Sequence, residues 1–196
     1  MRLGYRQILA TPGTLAFEAA SLATRTAHLM TVLSTVFFIS ATTRSFGLAG
    51  LMSAIYALTY SLASPFVSRL ADRGSPGRVL AVAAASNALS RAGYLIAAHA
   101  HGPAWVMVAL AACSGGSMPA AGPLARARWH RLLRDSPLLH AALSLESVID
   151  ELILVAAPIM VAFLASDVSP AAGLILALGL ATVGSTALMV QARGAR

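Results

Sequence analysis

The chain has 196 residues; 58% are hydrophobic, 11% are charged, and the mean hydropathy is +0.76. Soluble domains carry about 25% charged residues, so the composition excludes an ordinary soluble domain. The formal charge of +7 does not signal nucleic acid: all 14 Lys+Arg residues are arginine, and most fall at the ends or in short connections between apolar blocks.

Six blocks, near residues 15–40, 47–67, 79–99, 103–124, 138–165 and 170–191, meet the roughly 20 residues a helix needs to cross about 30 Å of hydrocarbon. A spanning strand is about 10 residues long with strict alternation, which these Ala/Leu-rich runs lack. The sequence therefore predicts a polar N-terminal segment over 1–14, a six-helix bundle over 15–191 and a tail over 192–196. Met1 to Pro12 is too short and polar to read as a cleavable signal.

The first block follows Pro12-Gly13 and carries Glu18, Arg25 and His28. Glu18, near the end of the block, is expected to be solvated. His28 is read as a hydrogen-bonded packing residue and a candidate for a cavity wall. On the second block Gly50, Ala54, Ala57, Ser61 and Ser64 recur at helical spacing, which predicts a face for close packing of a neighbouring span. The third block holds Arg91 with no acid on its own span, so its partner must come from elsewhere. Tyr56, Tyr60 and Tyr94 are expected to be buried and hydrogen-bonded. His99 and His101 form a bare pair on a connection, too few to hold a metal.

The fourth block is interrupted by Gly115-Gly116-Ser117-Met118-Pro119 and Gly122-Pro123. Such a break is tolerated where backbone lines a cavity, which makes Ser117 and Pro119 cavity candidates. Cys113 lies in the same block. It excludes an intrachain disulfide framework and reads as a small packing residue. Trp105 and Trp129 flank the block as interfacial aromatics. The fifth block follows Pro137 and carries Glu146, Asp150 and Glu151; the sixth begins at Pro170.

Six spans place both termini on one side. Arg2, Arg6, Arg69, Arg73, Arg78, Arg126, Arg128, Arg131, Arg134, Arg193 and Arg196 belong to that side, whereas the opposite loops hold only Arg44, Asp167, His99 and His101. Retention of arginine inside predicts cytoplasmic termini in a plasma membrane.

The connection from Ser68 to Arg78 resembles the signature loop of the major facilitator superfamily, Gly-x-Leu-Ala-Asp-Arg-x-Gly-Arg-Arg, through Leu70, Ala71, Asp72, Arg73 and Arg78. Ser68 and Ser75 replace two glycines, and Gly77 takes a position usually basic. Thr11-Pro12-Gly13 followed by Arg25, Arg126-Ala127-Arg128-Trp129 after Pro119 and Pro123, and Leu145 to Glu151 followed by Ala157-Pro158 resemble the first, fourth and fifth spans of drug-efflux-like members. Ala157 departs from the usual Gly-Pro of the antiporter pattern.

The resemblance implies the N-terminal half of a twelve-span transporter, itself two three-helix inverted repeats. It implies alternating-access, proton-coupled efflux of small, fairly apolar molecules, with Asp72, Arg73 and Arg78 as a charge-paired latch. The expected partners are the lipid bilayer, a small-molecule substrate, a proton and a second six-helix half. That half is a missing C-terminal half, a separate chain or a second copy. The rival reading is a non-transporting scaffold or remnant. An enzyme is disfavoured, since neither HExxH nor GxSxG occurs. No cofactor, metal or nucleic acid is expected.

Charge within a span normally faces the interior and is paired. Arg25 lies near the middle of span one, Arg91 of span three, and Asp150 and Glu151 of span five; Glu146 shares a face with Asp150. Asp150 or Glu151 is the expected site of proton exchange, with Arg25 as the competing positive partner. A static ion-pair network joining spans one and five is the alternative.

Overall fold

The computed structural model describes residues 13–73, 76–134 and 136–194, with side chains for 13–70, 77–134 and 136–191. Seven helices follow one another: α1 (Thr14–Thr43), α2 (Phe46–Arg73), α3 (Pro76–His99), α4 (Ala104–Gly116), α5 (Ala121–Leu132), α6 (Leu138–Asp167) and α7 (Ala172–Gly194). Among the described residues there is no strand. With α4 and α5 taken as one broken element, Ala104–Leu132, six helices are long and apolar enough to cross a membrane.

Local chemistry sets the boundaries. Gly13 takes a left-handed conformation (φ 77°) at the start of α1, and Arg44 takes one (φ 54°) at its end, turning the chain into α2. Between α4 and α5 the Met118 N–H bonds the Gly115 carbonyl at 3.1 Å, a tightened turn, and Pro119 has no N–H to continue the ladder. The helices run past the ends of their apolar blocks, furthest at α2, to Arg73, and at α5, to Leu132. Hydropathy falls there, but arginine is a good helix former.

The packing is inverted relative to a water-soluble protein. Ser21, Thr24, Asn87, Arg91, Ser114 and Glu146 are buried, while Leu58, Leu62 and Phe66 of α2 and Leu152, Ile159 and Phe163 of α6 are exposed. Polar groups inside and leucine outside suit a hydrocarbon surround. The Asn87 amide, for example, donates to the Ser114 carbonyl at 2.7 Å and ties α3 to α4.

The main helix pairs are α1 with α7, α2 with α4, α3 with α4 and α7, and α1 with α2 and α6. Glycine permits two of these approaches. A Cβ at Gly184 would run into Thr24 and the Ala20 carbonyl, and one at Gly115 into the Tyr56 carbonyl and Thr59.

Three expectations are corrected. The small-residue face of α2 does not pack inside the bundle: Gly50, Ala54 and Ser61 are exposed, because α2 meets its neighbours through Met52, Ser53 and Tyr56. Cys113 is exposed rather than packed. Of the two interfacial tryptophans, Trp105 is exposed but Trp129 is buried, for a reason that lies in the charge cluster.

Candidate functional site

On α6, Glu146 and Asp150 are one turn apart and present both carboxylates along one face. On α5, Arg126 and Trp129 are similarly adjacent. Arg25 of α1 stands between the two helices. Its Nη1 donates to Glu146 Oε2 at 2.8 Å and to Asp150 Oδ1 at 2.9 Å, and its Nη2 lies 3.5 Å from Glu18 Oε2, two turns away on α1. The second oxygen of each α6 acid is also taken. Trp129 Nε1 donates to Glu146 Oε1 at 2.8 Å, and Arg126 Nη2 donates to Asp150 Oδ2 at 2.5 Å. Trp129 is thus buried because its indole N–H serves a buried carboxylate.

The cluster grades from dry to wet. Side-chain exposure rises from 1% at Glu146 and 10% at Arg25 to 36% at Asp150 and 47% at Arg126. The inner members can break only at large cost; the outer pair is reachable. Glu18 is buried with neither oxygen hydrogen-bonded, which overturns its reading as a solvated end residue. It lies inside because it shares the Arg25 face of α1. Beyond it, the Arg128 guanidinium sits 4.6 Å from the centre of the Phe17 ring.

A cavity of about 220 Å³ opens beside the wet end, lined among others by Arg25, His28, Tyr60, Pro119, Arg126 and Asp150. The His28 and Tyr60 ring centres are 3.8 Å apart with their planes tilted by 32°, and His28 Nδ1 is 3.1 Å from the Tyr56 hydroxyl. Tyr56 and Tyr94 are buried as expected, the latter 3.4 Å from the Thr35 hydroxyl, whereas Tyr60 reaches the cavity.

Arg25, Glu146, Asp150, His28 and Pro119 therefore meet around one site. Ser117 does not join them; its hydroxyl folds back on the Cys113 carbonyl at 2.6 Å. Glu151 points to the exposed face of α6, one residue and 100° of helix away from Asp150. Arg91 is fully buried but has no carboxylate within 4.0 Å among the described residues. Its Nη2 is 3.8 Å from Met118 Sδ, its guanidinium is 6.0 Å from the Tyr56 ring centre, and its Nε and Nη1 lack partners. The expectation that an acid reaches it from another span does not hold there.

In the signature loop Arg78 is exposed, while the Asp72 and Arg73 side chains lie outside the described residues. Four participants went unrecognised in sequence: Glu18, Tyr60, Arg126 and Trp129. Glu18 is seven residues from Arg25 and so shares its face, and Arg126 and Trp129, three residues apart, share a face as Glu146 and Asp150 do four apart; those were the available signals. Among the described residues, no group of three His, Cys, Asp or Glu side chains is placed to hold a metal ion. No family model, no curated protein and no solved structure matches the chain.

Proposed function

We propose that this chain is the N-terminal six-helix half of a major facilitator transporter and that it moves small molecules by alternating access, coupled to a proton. The observation that carries the reading is the charge cluster itself. Three carboxyl groups and two arginines from spans one, four and five meet inside the bundle beside an open cavity. Ionisable groups at membrane depth are costly and mark substrate or proton pathways.

The helix pairing supports the fold. Numbering the spans one to six, exchange of each span for the one three further on maps each main pair, and two of the lesser ones, onto a pair that is also in contact. One–six becomes four–three, two–four becomes five–one, one–two becomes four–five, two–three becomes five–six, and three–six returns to itself. Two inverted three-span repeats produce such a pattern. The apolar outer faces of α2 and α6, with the uncovered small residues of α2, offer the surface for a second six-helix half. The arginine-rich ends are cytoplasmic in this reading, with Asp72, Arg73 and Arg78 as a latch against that half.

Within the cluster Asp150 is the exchanging group, because it alone of the three acids lines the cavity. Breaking its pairing with Arg25 and Arg126 as the bundle rocks loads or releases the proton. The test is proton flux into vesicles holding the chain with its second half, read by an internal pH dye. Asp150→Asn abolishes substrate-driven flux. Unchanged flux would remove Asp150 from the mechanism.

A further inference from the structure

We propose that Arg126 is the docking group for a small organic anion, which enters the cavity together with a proton taken up by Asp150. This deepens the transport reading by naming the substrate class of the same site.

The argument begins with an asymmetry between the two arginines that line the cavity. Arg25 bonds Glu146 and Asp150 and lies 3.5 Å from Glu18. Arg126 has one carboxylate within 4.0 Å among the described residues, that of Asp150. A proton on Asp150 leaves Arg25 with two acids and Arg126 with none. Arg126, at the arginine-rich end of span four, is then the open pairing position beside the cavity. Arg126 is 47% exposed and lines the cavity, so an entering oxyanion restores its pairing. The planar guanidinium fork fits a carboxylate in two-point contact. Proton and anion then enter as a neutral pair, which leaves the charge of the loaded site unchanged.

The same geometry disfavours an amine. A cationic ligand needs a free carboxylate, and both oxygens of the one acid that lines the cavity are held by arginines. Size and walls narrow the ligand further. The cavity, at about 220 Å³, is below the roughly 300–1,000 Å³ of drug-sized sites. Its other walls include Leu29, Ile153 and Tyr60, the last in ring contact with His28. A compact monocarboxylate with one apolar or aromatic end matches this arrangement.

The titratable and charged groups around Asp150 are Arg25, His28 and, beyond Arg25, Glu18 from α1; Tyr60 from α2; Arg126 from α5; and Glu146 from α6 itself. From α7 the sequence supplies only Arg193, whose side chain lies outside the described residues. His28 is the rival proton acceptor at the cavity wall, and the test separates it from Asp150.

The probe is benzoate, titrated calorimetrically into the full chain in detergent, in buffers of different ionisation enthalpy. Binding takes up about one proton per benzoate, and affinity rises by up to about tenfold per unit fall in pH. Asp150→Asn binds benzoate with no proton uptake and no pH dependence, and Arg126→Gln does not bind. Arg126→Lys keeps the charge but loses the fork and binds more weakly, which covers the case in which the glutamine variant misfolds. The proposal is overturned if benzoate fails to bind at acidic pH. Unchanged affinity in both Arg126 variants overturns it too, as does proton uptake that persists in Asp150→Asn and so belongs to His28. Coupled binding without vesicle flux would sink the transport reading and leave this site standing. Flux without benzoate binding would do the reverse.

Discussion

Arg25 and Arg91 are both single arginines well inside membrane-length helices, yet the bundle holds them differently. Arg25 is clamped by acids from α6 and its own helix, in a network that extends to Trp129 and Arg126. Arg91 is more deeply buried and, among the described residues, meets a thioether sulfur and a tyrosine ring but no carboxylate. The difference teaches that depth alone does not assign a role to an intramembrane charge. What assigns it is whether a facing helix supplies a counter-charge and whether water reaches the pair. Arg25 satisfies both conditions and Arg91 neither.

The contrast can be broken most forcefully at Glu146. Glu146→Leu leaves Arg25 short of its driest partner and Trp129 without an acceptor, and should cost about 3–5 kcal/mol of stability in mixed-micelle unfolding. A loss under 1 kcal/mol (about the value of a surface pair) would mean that the clamp is loose. Next in size, Gly184→Val forces a side chain against Thr24 and the Ala20 carbonyl. It should cost about 1–3 kcal/mol by overpacking and tests the α1–α7 contact that orients Arg25.

Arg91→Met sharpens the comparison from the other side. Because no carboxylate among the described residues is left unpaired, stability should hold or rise, and the same unfolding assay reads it. A loss as large as that of Glu146→Leu would reveal an acid at Arg91. The smallest effect belongs to Glu151→Gln, on the exposed face, within about 0.5 kcal/mol of the parent. A larger change would place Glu151 in contact with the bundle.

Much of the fold was legible because length and apolarity alone mark a span, and because Pro and Gly mark its ends. The break at Pro119 was legible for the same reason, a missing N–H. Rotation about each helix axis was not. Asp150 and Glu151 are indistinguishable by depth, and α6 is so uniformly apolar that its sequence does not say which face turns inward. The same uncertainty of phase hid the small residues of α2 on the outside and the indole of Trp129 on the inside. Glu18 was misread because position near the end of a span suggests water, whereas its place on the Arg25 face puts it in the core. For Arg91 the cost of a buried charge was taken to require an acid, whereas the described residues bring it a thioether and a ring.

Whether carboxylates hold Arg25 is tested most directly by a double-mutant cycle on Arg25→Met and Glu146→Leu, read as unfolding free energy of the full chain. The clamp predicts a coupling of about 0.5–3 kcal/mol, with the double variant more stable than the sum of the single losses implies. Additive losses, with no coupling between the two positions, would contradict it.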